Sequence, residues 1–451
     1  MLNKLNLLFF TVFIPSFYMT GQILTNSPLS YQNLGQKSIE SDAIYQSLGY
    51  ATNALADSSV INYNNPATYS FFGNGYTLLS TGIHGRISQF DENGLSNYGA
   101  FSNLNHLILG MRITKFISTS FGLKPYSFRG YNFQTKMYTG TDSLLYTYKG
   151  TGTTQVAFGG LSLRLLNLKS TKLSIGANAG LLFGSLSNDR ISRLISSNSS
   201  AGGIEKNITQ LSSFYYQGGV HFQQKIGLNS IIDLGVSMEP EQQLSAKYTD
   251  ALYYSNNVFN EKNYDTISFQ SLKGSIRMPS TINIGTSYTL RFKNIVKNNR
   301  RLNSEMKLFF NYSKADYTIY SANFDSLSVP NIFAKNNRYG FGFQFIPEKN
   351  YFENNTLTKF YQRVYYRAGI FSENTSYINS SSQLNHFGIT FGIGIPIFAQ
   401  QSLSSVNLGF NLGKIQKNIE NTLSEKYLSI NLGVNLSPSI FDKWFRKRKL
   451  D

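Results

Sequence analysis

The stretch "YLSINLGVNL", residues 427–436, alternates strictly between apolar and small polar side chains. Side chains of an extended strand point alternately to its two faces, so every second residue from Leu428 to Leu436 shares one face. The opposite face carries Ser429, Asn431, Gly433 and Asn435. About ten residues is also the length of a tilted transmembrane strand. The stretch therefore predicts a β-strand with one apolar face.

The same alternation recurs along the chain. It is clear in "FGITFGIGIPI" (387–397) and "SVNLGFNLG" (405–413). Further segments of this kind begin at Lys172, Thr281, Glu305, Tyr339 and Arg363. With weaker candidates before residue 255, we predict an all-β protein of about 14 strands. At Gly159 and Gly160 the apolar phase slips, which predicts a β-bulge.

The polar face of these segments distinguishes two kinds of β-protein. Gly, Ser, Asn and Thr fill it, and only 14% of the 451 residues are charged, against about a quarter in ordinary soluble proteins. A small, uncharged face fits the interior of a barrel, and the apolar face then meets lipid. Lipid cannot pair an open sheet edge, so the sheet must close. We predict a closed transmembrane antiparallel β-barrel; an exported soluble β-protein is the alternative.

The N-terminus predicts export. Lys4 precedes the apolar stretch "LNLLFFTVFIPSFYM", and small residues follow in "TGQ". This is the layout of a signal peptide, here residues 1–21. Beyond residue 20 no run of about 18 apolar residues could form a membrane-spanning helix.

The charge balance narrows the partners. The formal net charge is +17, and an exported chain rarely meets nucleic acid. One interpretation of the positive charge is that it faces lipid phosphates. The other is that the loops are simply rich in Lys and Asn. In a basic tail at 438–451, Trp444 and Phe445 are candidate interface anchors, and a solvated tail is the alternative.

Catalytic and metal-binding patterns are missing from the sequence. There are no cysteines, which excludes disulfides and thiolate sites. Of the four histidines, those in "NLNHL" (103–107) and "NHF" (385–387) stand beside Asn, but no hydrolase signature accompanies them. No zinc spacing or phosphate-binding loop occurs. We predict a protein that is not an enzyme and has no cofactor.

Two arginines are candidate ligand-binding residues. Arg363 and Arg367 lie four residues apart on a predicted strand, so they share a face. They could be lumen cations that face an anionic head group. An ion pair with Asp57 or Glu40 of the N-terminal region is the alternative.

The N-terminal region resembles that of FadL-type outer-membrane barrels. Residues 42–72 contain Gly49, the pair Ala56-Asp57 and the motif Asn65-Pro66-Ala67 in the order of that family. "MPSTINIGTSY" (278–288) is similar to a proline-led strand midway in these proteins. The C-terminal third is similar to a Bacteroidetes branch of FadL-like proteins.

The resemblance implies a 14-stranded barrel at 79–437 in the bacterial outer membrane, with its lumen blocked by an N-terminal hatch at 22–78. In this arrangement Gly49, Asp57, Asn65, Pro66 and Ala67 are the hatch motif. Transporting members move long-chain fatty acids or aromatic hydrocarbons through a wall opening beside the hatch. Similar barrels are accessory subunits of outer-membrane assembly or type IX secretion complexes. Passage of hydrophobic or amphipathic molecules and an accessory role with other outer-membrane proteins are therefore the two hypotheses.

Overall fold

The structure is a computed structural model of the chain. The structure describes residues 27–31, 34–38, 42–73, 77–92, 94–138, 140, 142–195, 201–296, 300–325, 327–329, 333–349, 358–379, 382–397, 404–417 and 423–437. Within these ranges no helix is long and apolar enough to cross a membrane.

Nearly all regular structure is β-strand. The helices are α1 (Ala43–Ser47), α2 (Phe360–Arg363) and the 3₁₀ turns Pro28–Tyr31, Pro66–Phe71, Glu261–Asn263 and Tyr317–Ile319. The strands are β1 (Gln36–Lys37), β2 (Thr77–Glu92), β3 (Leu95–Arg112), β4 (Ile117–Phe128), β5 (Tyr131–Tyr138), β6 (Ser143–Asn167), β7 (Thr171–Leu194), β8 (Gly202–Ile226), β9 (Ser230–Glu239), β10 (Gln242–Ser255), β11 (Tyr264–Met278), β12 (Thr281–Val296), β13 (Arg300–Asp316), β14 (Ser321–Phe324), β15 (Leu327–Val329), β16 (Lys335–Ile346), β17 (Tyr365–Asn379), β18 (Ser382–Pro396), β19 (Ser405–Gln416) and β20 (Ser424–Leu436).

The strands β2–β20 form one closed antiparallel barrel. Five positions in the wall are made of two consecutive segments each, namely β4–β5, β9–β10, β11–β12, β13–β14 and β15–β16. The wall therefore has fourteen positions, as the sequence predicted. Pairing of β2 with β20, from Leu79↔Leu436 to Asp91↔Ser424, closes it. We call the end where β2 begins and β20 ends the lower rim, and the opposite end the upper rim.

Alternate side chains sort between the two sides of the wall. In β19, Leu412 is 54% exposed on the outside, while its neighbour Asn411 is fully buried inside. Ile389 of β18 and Ile430 of β20 are likewise exposed, and Thr390 and Asn431 are buried. The apolar outer band and the small polar inner face were both predicted, and both are confirmed.

The predicted bulge at Gly159 and Gly160 is wrong. Pairing of β6 with β4 and β7 runs through both glycines without a shift. The phase changes because Phe158 is an inward apolar residue in the core around Tyr69, whereas Leu161 points outward. Apolar residues thus face both sides of the wall where the N-terminal segment packs on it.

The N-terminal segment, residues 27–73 as described above, crosses the interior of the barrel. Helix α1 contacts β17–β20, and the 3₁₀ turn Pro66–Phe71 contacts β6, β7 and β8 on another side. Strand β2 begins at Thr77, two residues before the predicted start of the barrel. The predicted signal peptide and the tail with Trp444 and Phe445 lie outside the described residues.

One part of the wall is much taller than the rest. Strands β6, β7 and β8 have 25, 24 and 25 residues, whereas β18, β19 and β20 have 15, 12 and 13. On β7 the outward apolar band ends at Phe183, and residues 185–194 continue beyond it. At about 3.3 Å per residue this is about 30 Å of additional strand.

The closing seam contains a buried ion pair whose loss should destabilise the barrel. Arg86 Nη2 lies 2.7 Å from Glu425 Oε1, and both side chains are 2% exposed. Removing one partner of a fully buried pair costs about 3–5 kcal/mol. We expect Glu425→Gln to lower the free energy of unfolding by about that amount, measured by denaturant unfolding in detergent.

The neighbouring residue provides the matched control. Lys426 pairs with Asp91 at 3.3 Å across the same two strands, but its side chain is 55% exposed. Lys426→Gln should change stability by less than about 1 kcal/mol. Equal effects of the two substitutions would contradict the role assigned to the buried pair.

Candidate functional site

Gly49 lets the N-terminal segment approach the wall closely. It has φ +60, and a Cβ there would lie 2.6 Å from the carbonyl oxygens of Phe341 and Ile370. Its N–H donates to Thr390 Oγ1 at 3.1 Å. Glycine adopts positive φ without the penalty that other residues incur. The end of α1 therefore rests on the backbone of β16 and β17.

The Asn65-Pro66-Ala67 motif fixes the opposite part of the segment. Asn65 caps the 3₁₀ turn by accepting from the Ala67 N–H at 3.2 Å, and its Nδ2 donates to the carbonyl of Val220 at 3.2 Å. The Ala67 carbonyl accepts from Ser162 and Ser174, each at 2.9 Å. These three motif residues are fully buried or nearly so, so the motif binds the segment to β6, β7 and β8.

Asp57 lies in a charged cluster near the lower rim. Its Oδ2 is 3.8 Å from the ammonium nitrogens of both Lys307 and Lys349. The same lysines contact Glu305 Oε1 at 3.4 and 3.5 Å. Burial alone would raise the pKa of the Asp57 carboxyl, but Lys349 and Lys307 outweigh it and hold the pKa well below its usual range. The carboxyl stays charged and links the segment to β13 and to the turn after β16.

The wall is interrupted between β3 and β4. They pair only from Leu107↔Leu123 to Arg112↔Ser118. Toward the upper rim β3 stays paired with β2 only, and β4 stays paired with β6, with a register shift after Pro125. Proline has no N–H to donate to a ladder, and the bulge bends the strand. We call the resulting gap in the ladder the slot.

Strand β1 pairs with the edge of β4 beside the slot. Gln36 lies opposite Phe128 and Lys37 opposite Ser127, and the Ser38 N–H donates to the Tyr126 carbonyl at 2.8 Å. Lys37 Nζ then forms an ion pair with Glu239 Oε2 at 2.8 Å, at the end of β9. The N-terminal segment thus bridges the bent strand and another part of the wall.

A cavity of about 230 Å³ lies between the N-terminal segment and the wall. Phe101 and Asn103 of β3 and Lys124 and Tyr126 of β4 line it, so it reaches both sides of the slot. Many of its other lining residues are polar, and several of them form ion pairs. They include Lys37 and Glu239, and the buried pair Arg338–Glu373, with nitrogen and oxygen 2.7 Å apart.

Lys124 is the cation in this cavity whose contacts are mainly aromatic. Its Nζ donates to Tyr215 Oη at 3.4 Å and lies 5.2–5.7 Å from the ring centres of Tyr63, Phe158 and Tyr215. Within the described ranges it forms no ion pair with a carboxylate, although its side chain is almost fully buried. An anionic group entering by the slot would find an ammonium with N–H donors to spare.

The structure places the two predicted arginines on different elements. The prediction that Arg363 and Arg367 share a strand face is wrong, because Arg363 belongs to helix α2 and donates to Thr358. Arg367 does lie on β17 and is buried. It donates to Gln344 Oε1 at 2.8 Å and to Asn407 Oδ1 at 2.9 Å. The alternative partner Glu40 lies outside the described residues.

The histidines are part of the polar interior. His106 Nε2 lies 2.8 Å from Ser80 Oγ and 3.6 Å from Asp42 Oδ2. A hydrolase would need the carboxylate on the other ring nitrogen, so this Ser-His-Asp group lacks the geometry of a triad. Within the described ranges no group of three His, Asp or Glu side chains could hold a metal ion.

Sequence reasoning located the motif residues but missed Lys37, Glu239 and Lys124. Lys37 and Glu239 are 202 residues apart, so no local pattern connects them. Pro125 inside an otherwise regular strand was the one available signal, because proline in a ladder marks an edge or a bulge.

A family model described as BamG matches residues 1–451. No curated protein matches the sequence.

Several solved structures share the architecture. The CymD monoaromatic hydrocarbon channel has a TM-score of 0.55 and 12% identity, covering 90% of this chain and 99% of that chain. A FadL homologue of Pseudomonas aeruginosa has a TM-score of 0.53 and 11% identity, covering 88% of this chain and 97% of that chain. The toluene transporter TodX of P. putida has a TM-score of 0.54 and 16% identity, covering 88% of this chain and 98% of that chain. At these identities the likeness shows the fold alone, which confirms the FadL-like barrel; the Bacteroidetes branch stays a prediction.

The Asp57 cluster should give the attachment of the N-terminal segment a defined pH dependence. A carboxyl whose pKa is lowered by folding stabilises the folded state at pH values above the pKa of the unfolded state, about 3.9. This stabilisation is lost as the pH falls through the lower pKa of the folded state. We expect Asp57→Asn to cost about 2–3 kcal/mol at pH 7, less than for a fully buried pair because Lys349 is partly exposed. Protease sensitivity of residues 43–73 should rise accordingly and converge with wild type in strong acid.

The control is Glu241→Gln, which removes an exposed partner of Arg277. It should leave the protease sensitivity of residues 43–73 unchanged. An Asp57→Asn variant as resistant as wild type at pH 7 would show that the cluster does not hold the segment.

Proposed function

The chain belongs to the BamG family, and on that premise we propose that it is a bacterial outer-membrane protein and a non-enzymatic subunit of a larger outer-membrane assembly. The proposed assembly is of the barrel-assembly or the type IX secretion kind. The observation that carries this proposal is the tall part of the wall, which extends past the apolar band.

The outer surface supports the membrane location. The closed wall presents a band of Leu, Ile, Val and Phe to the outside, and pairing of β2 with β20 closes it. Barrels of this kind are how β-proteins cross bacterial outer membranes. The lower rim, with short turns such as 168–170 and 227–229, would then face the periplasm.

The tall part of the wall supports the role as a subunit. Segments of β5, β6, β7, β8, β10 and β11 continue as a sheet beyond the band. Among the described strands, β5 pairs only with β6, and residues 264–273 of β11 pair only with β10. Exposed sheet edges are templates for pairing with another chain, so proteins usually keep them short or covered.

The interior supports the same role. We propose that the N-terminal segment acts as a permanent hatch with the motif Gly49, Asp57, Asn65, Pro66 and Ala67. Moving it would break the buried contacts of Asn65, Ala67 and Asp57 described above. Each buried polar group left without a partner costs about 1–3 kcal/mol, so several together keep the lumen filled.

Co-purification tests the proposed role. We expect the tagged full-length chain, extracted from its native membrane in mild detergent, to carry other outer-membrane proteins in fixed stoichiometry, as measured by mass spectrometry and native mass. A solitary barrel with a bound fatty acid would contradict the proposal.

A second function, passage of hydrophobic or amphipathic molecules, is favoured by the slot and the cavity. Two of the structures of similar fold named above are a monoaromatic hydrocarbon channel and a toluene transporter. Here charged side chains, which a hydrocarbon does not require, are among the lining residues, and Lys124 suits a carboxylate head. The ligand in this second hypothesis is a long-chain fatty acid whose tail lies in the slot.

Lys124→Met tests the second function. Loss of a hydrogen bond to a charged group costs about 1.5–3 kcal/mol, so binding of a labelled long-chain fatty acid to the purified protein should weaken at least tenfold. Lys426→Met, at the exposed pair near the upper rim, is the control and should bind as wild type does. Equal affinity of all three proteins would rule out this ligand site.

A further inference from the structure

The upper sheet has an edge strand with its hydrogen-bonding groups open over a regular stretch. Residues 268–273 of β11, "SFQSLK", pair with β10 in continuous register from Ser268↔Leu252 to Lys273↔Lys247. The register shifts only beyond Leu252, and β14 reaches β11 only at residues 274–277. On the side away from β10, no described strand pairs with this stretch.

This edge carries an unusual charge arrangement. Lys247 and Lys273 are directly opposite each other on the outward face, and both are exposed. Like charges in this position destabilise a sheet. Within the described ranges neither lysine forms an ion pair; Glu241, six residues before Lys247, is paired with Arg277 at 2.5 Å.

The stretch also lies beyond the lipid-facing band. Lys247 follows Met238, an outward residue of β9, by nine residues, and Lys273 precedes Ile282 of β12 by nine. Along the same face Phe269 is 62% exposed. The edge thus combines open backbone groups, two uncompensated cations and an exposed aromatic ring outside the hydrocarbon.

A lysine on an edge strand ordinarily serves to prevent aggregation. That role accounts for Lys273, because a second copy of the edge would bring further lysines beside it. It does not account for Lys247, which lies on an interior strand. Together the two lysines repel a copy of this chain and attract an acidic strand, so the same charges select the partner.

We propose that residues 268–273 of β11 are a docking edge for an extended acidic segment of a partner protein, which adds a strand to the upper sheet. Its backbone would pair with the open groups of β11, and its carboxylates would lie beside Lys247 and Lys273. The inference rests on the proposed role as a subunit and names the kind of partner. Lipid phosphates could neutralise the lysines but could not pair with alternating N–H and C=O groups.

The test uses the purified full-length chain and a fluorescent eight-residue peptide of alternating Asp and Val. We expect saturable binding that weakens at least tenfold for Lys247→Glu combined with Lys273→Glu. A peptide with every second amide methylated should also bind at least tenfold more weakly, because strand addition needs those N–H donors. Lys136→Glu, on the other free edge of the same sheet, should bind as wild type does.

A charge-swapped peptide guards against misfolding of the double variant. The Lys-Val peptide should bind the double variant and not the wild type. Three results would each overturn the inference: no saturable binding to wild type, equal affinity for the methylated peptide, or equal weakening by Lys136→Glu. Equal affinity for the methylated peptide would mean a simple charge contact, such as lipid phosphate could also make.

The failure of this inference can be told apart from failure of the proposed function. If the double variant co-purifies with the same proteins in the same stoichiometry as wild type, the docking edge is wrong and the role as a subunit stands. If wild type co-purifies with none, the role as a subunit itself fails.

Discussion

A closed ladder in an apolar solvent imposes one requirement on everything inside it: polar groups must find partners within the protein. The wall meets this requirement by pairing β2 with β20, and its inner face offers Asn, Ser and Thr together with ion-paired charges such as Arg86–Glu425. The N-terminal segment meets it by contacts such as Ala67 with Ser162 and Ser174. Close approach depends on wall glycines, as at Gly176, where a Cβ would lie 2.6 Å from the Ala67 nitrogen. The interior is therefore a single packed unit of wall and segment.

The exceptions to this packing are where function can reside. Pro125 and the following register shift separate β4 from β3, and β1 from the N-terminal segment supplies a short substitute partner. Above the apolar band the requirement is relaxed because water can satisfy open backbone groups. The long strands β6–β8 and the free edge of β11 lie in that region. The upper sheet suits recognition by partner proteins, and the slot between β3 and β4 suits entry of a small molecule.

The sequence predicted the barrel well, because the period-2 pattern is local and the two environments differ strongly. The resemblance also named Gly49 and Asn65-Pro66-Ala67 as a hatch motif; the structure places these residues against the wall, and their role as a hatch stays a prediction. It failed where side-chain phase reflects packing inside the barrel, as at Phe158 and Leu161, and where a helical turn replaces a strand, as at Arg363. The ion pair of Lys37 with Glu239 depends on residues brought together only by closure. No single-sequence pattern encodes such a pairing.

Hydrogen–deuterium exchange of the full chain in detergent tests most directly whether the N-terminal segment is a fixed part of the barrel. Amides in residues 43–57 and 61–72 should exchange as slowly as those of the wall strands β18–β20. Complete exchange of these residues within seconds, with the wall still protected, would contradict the account.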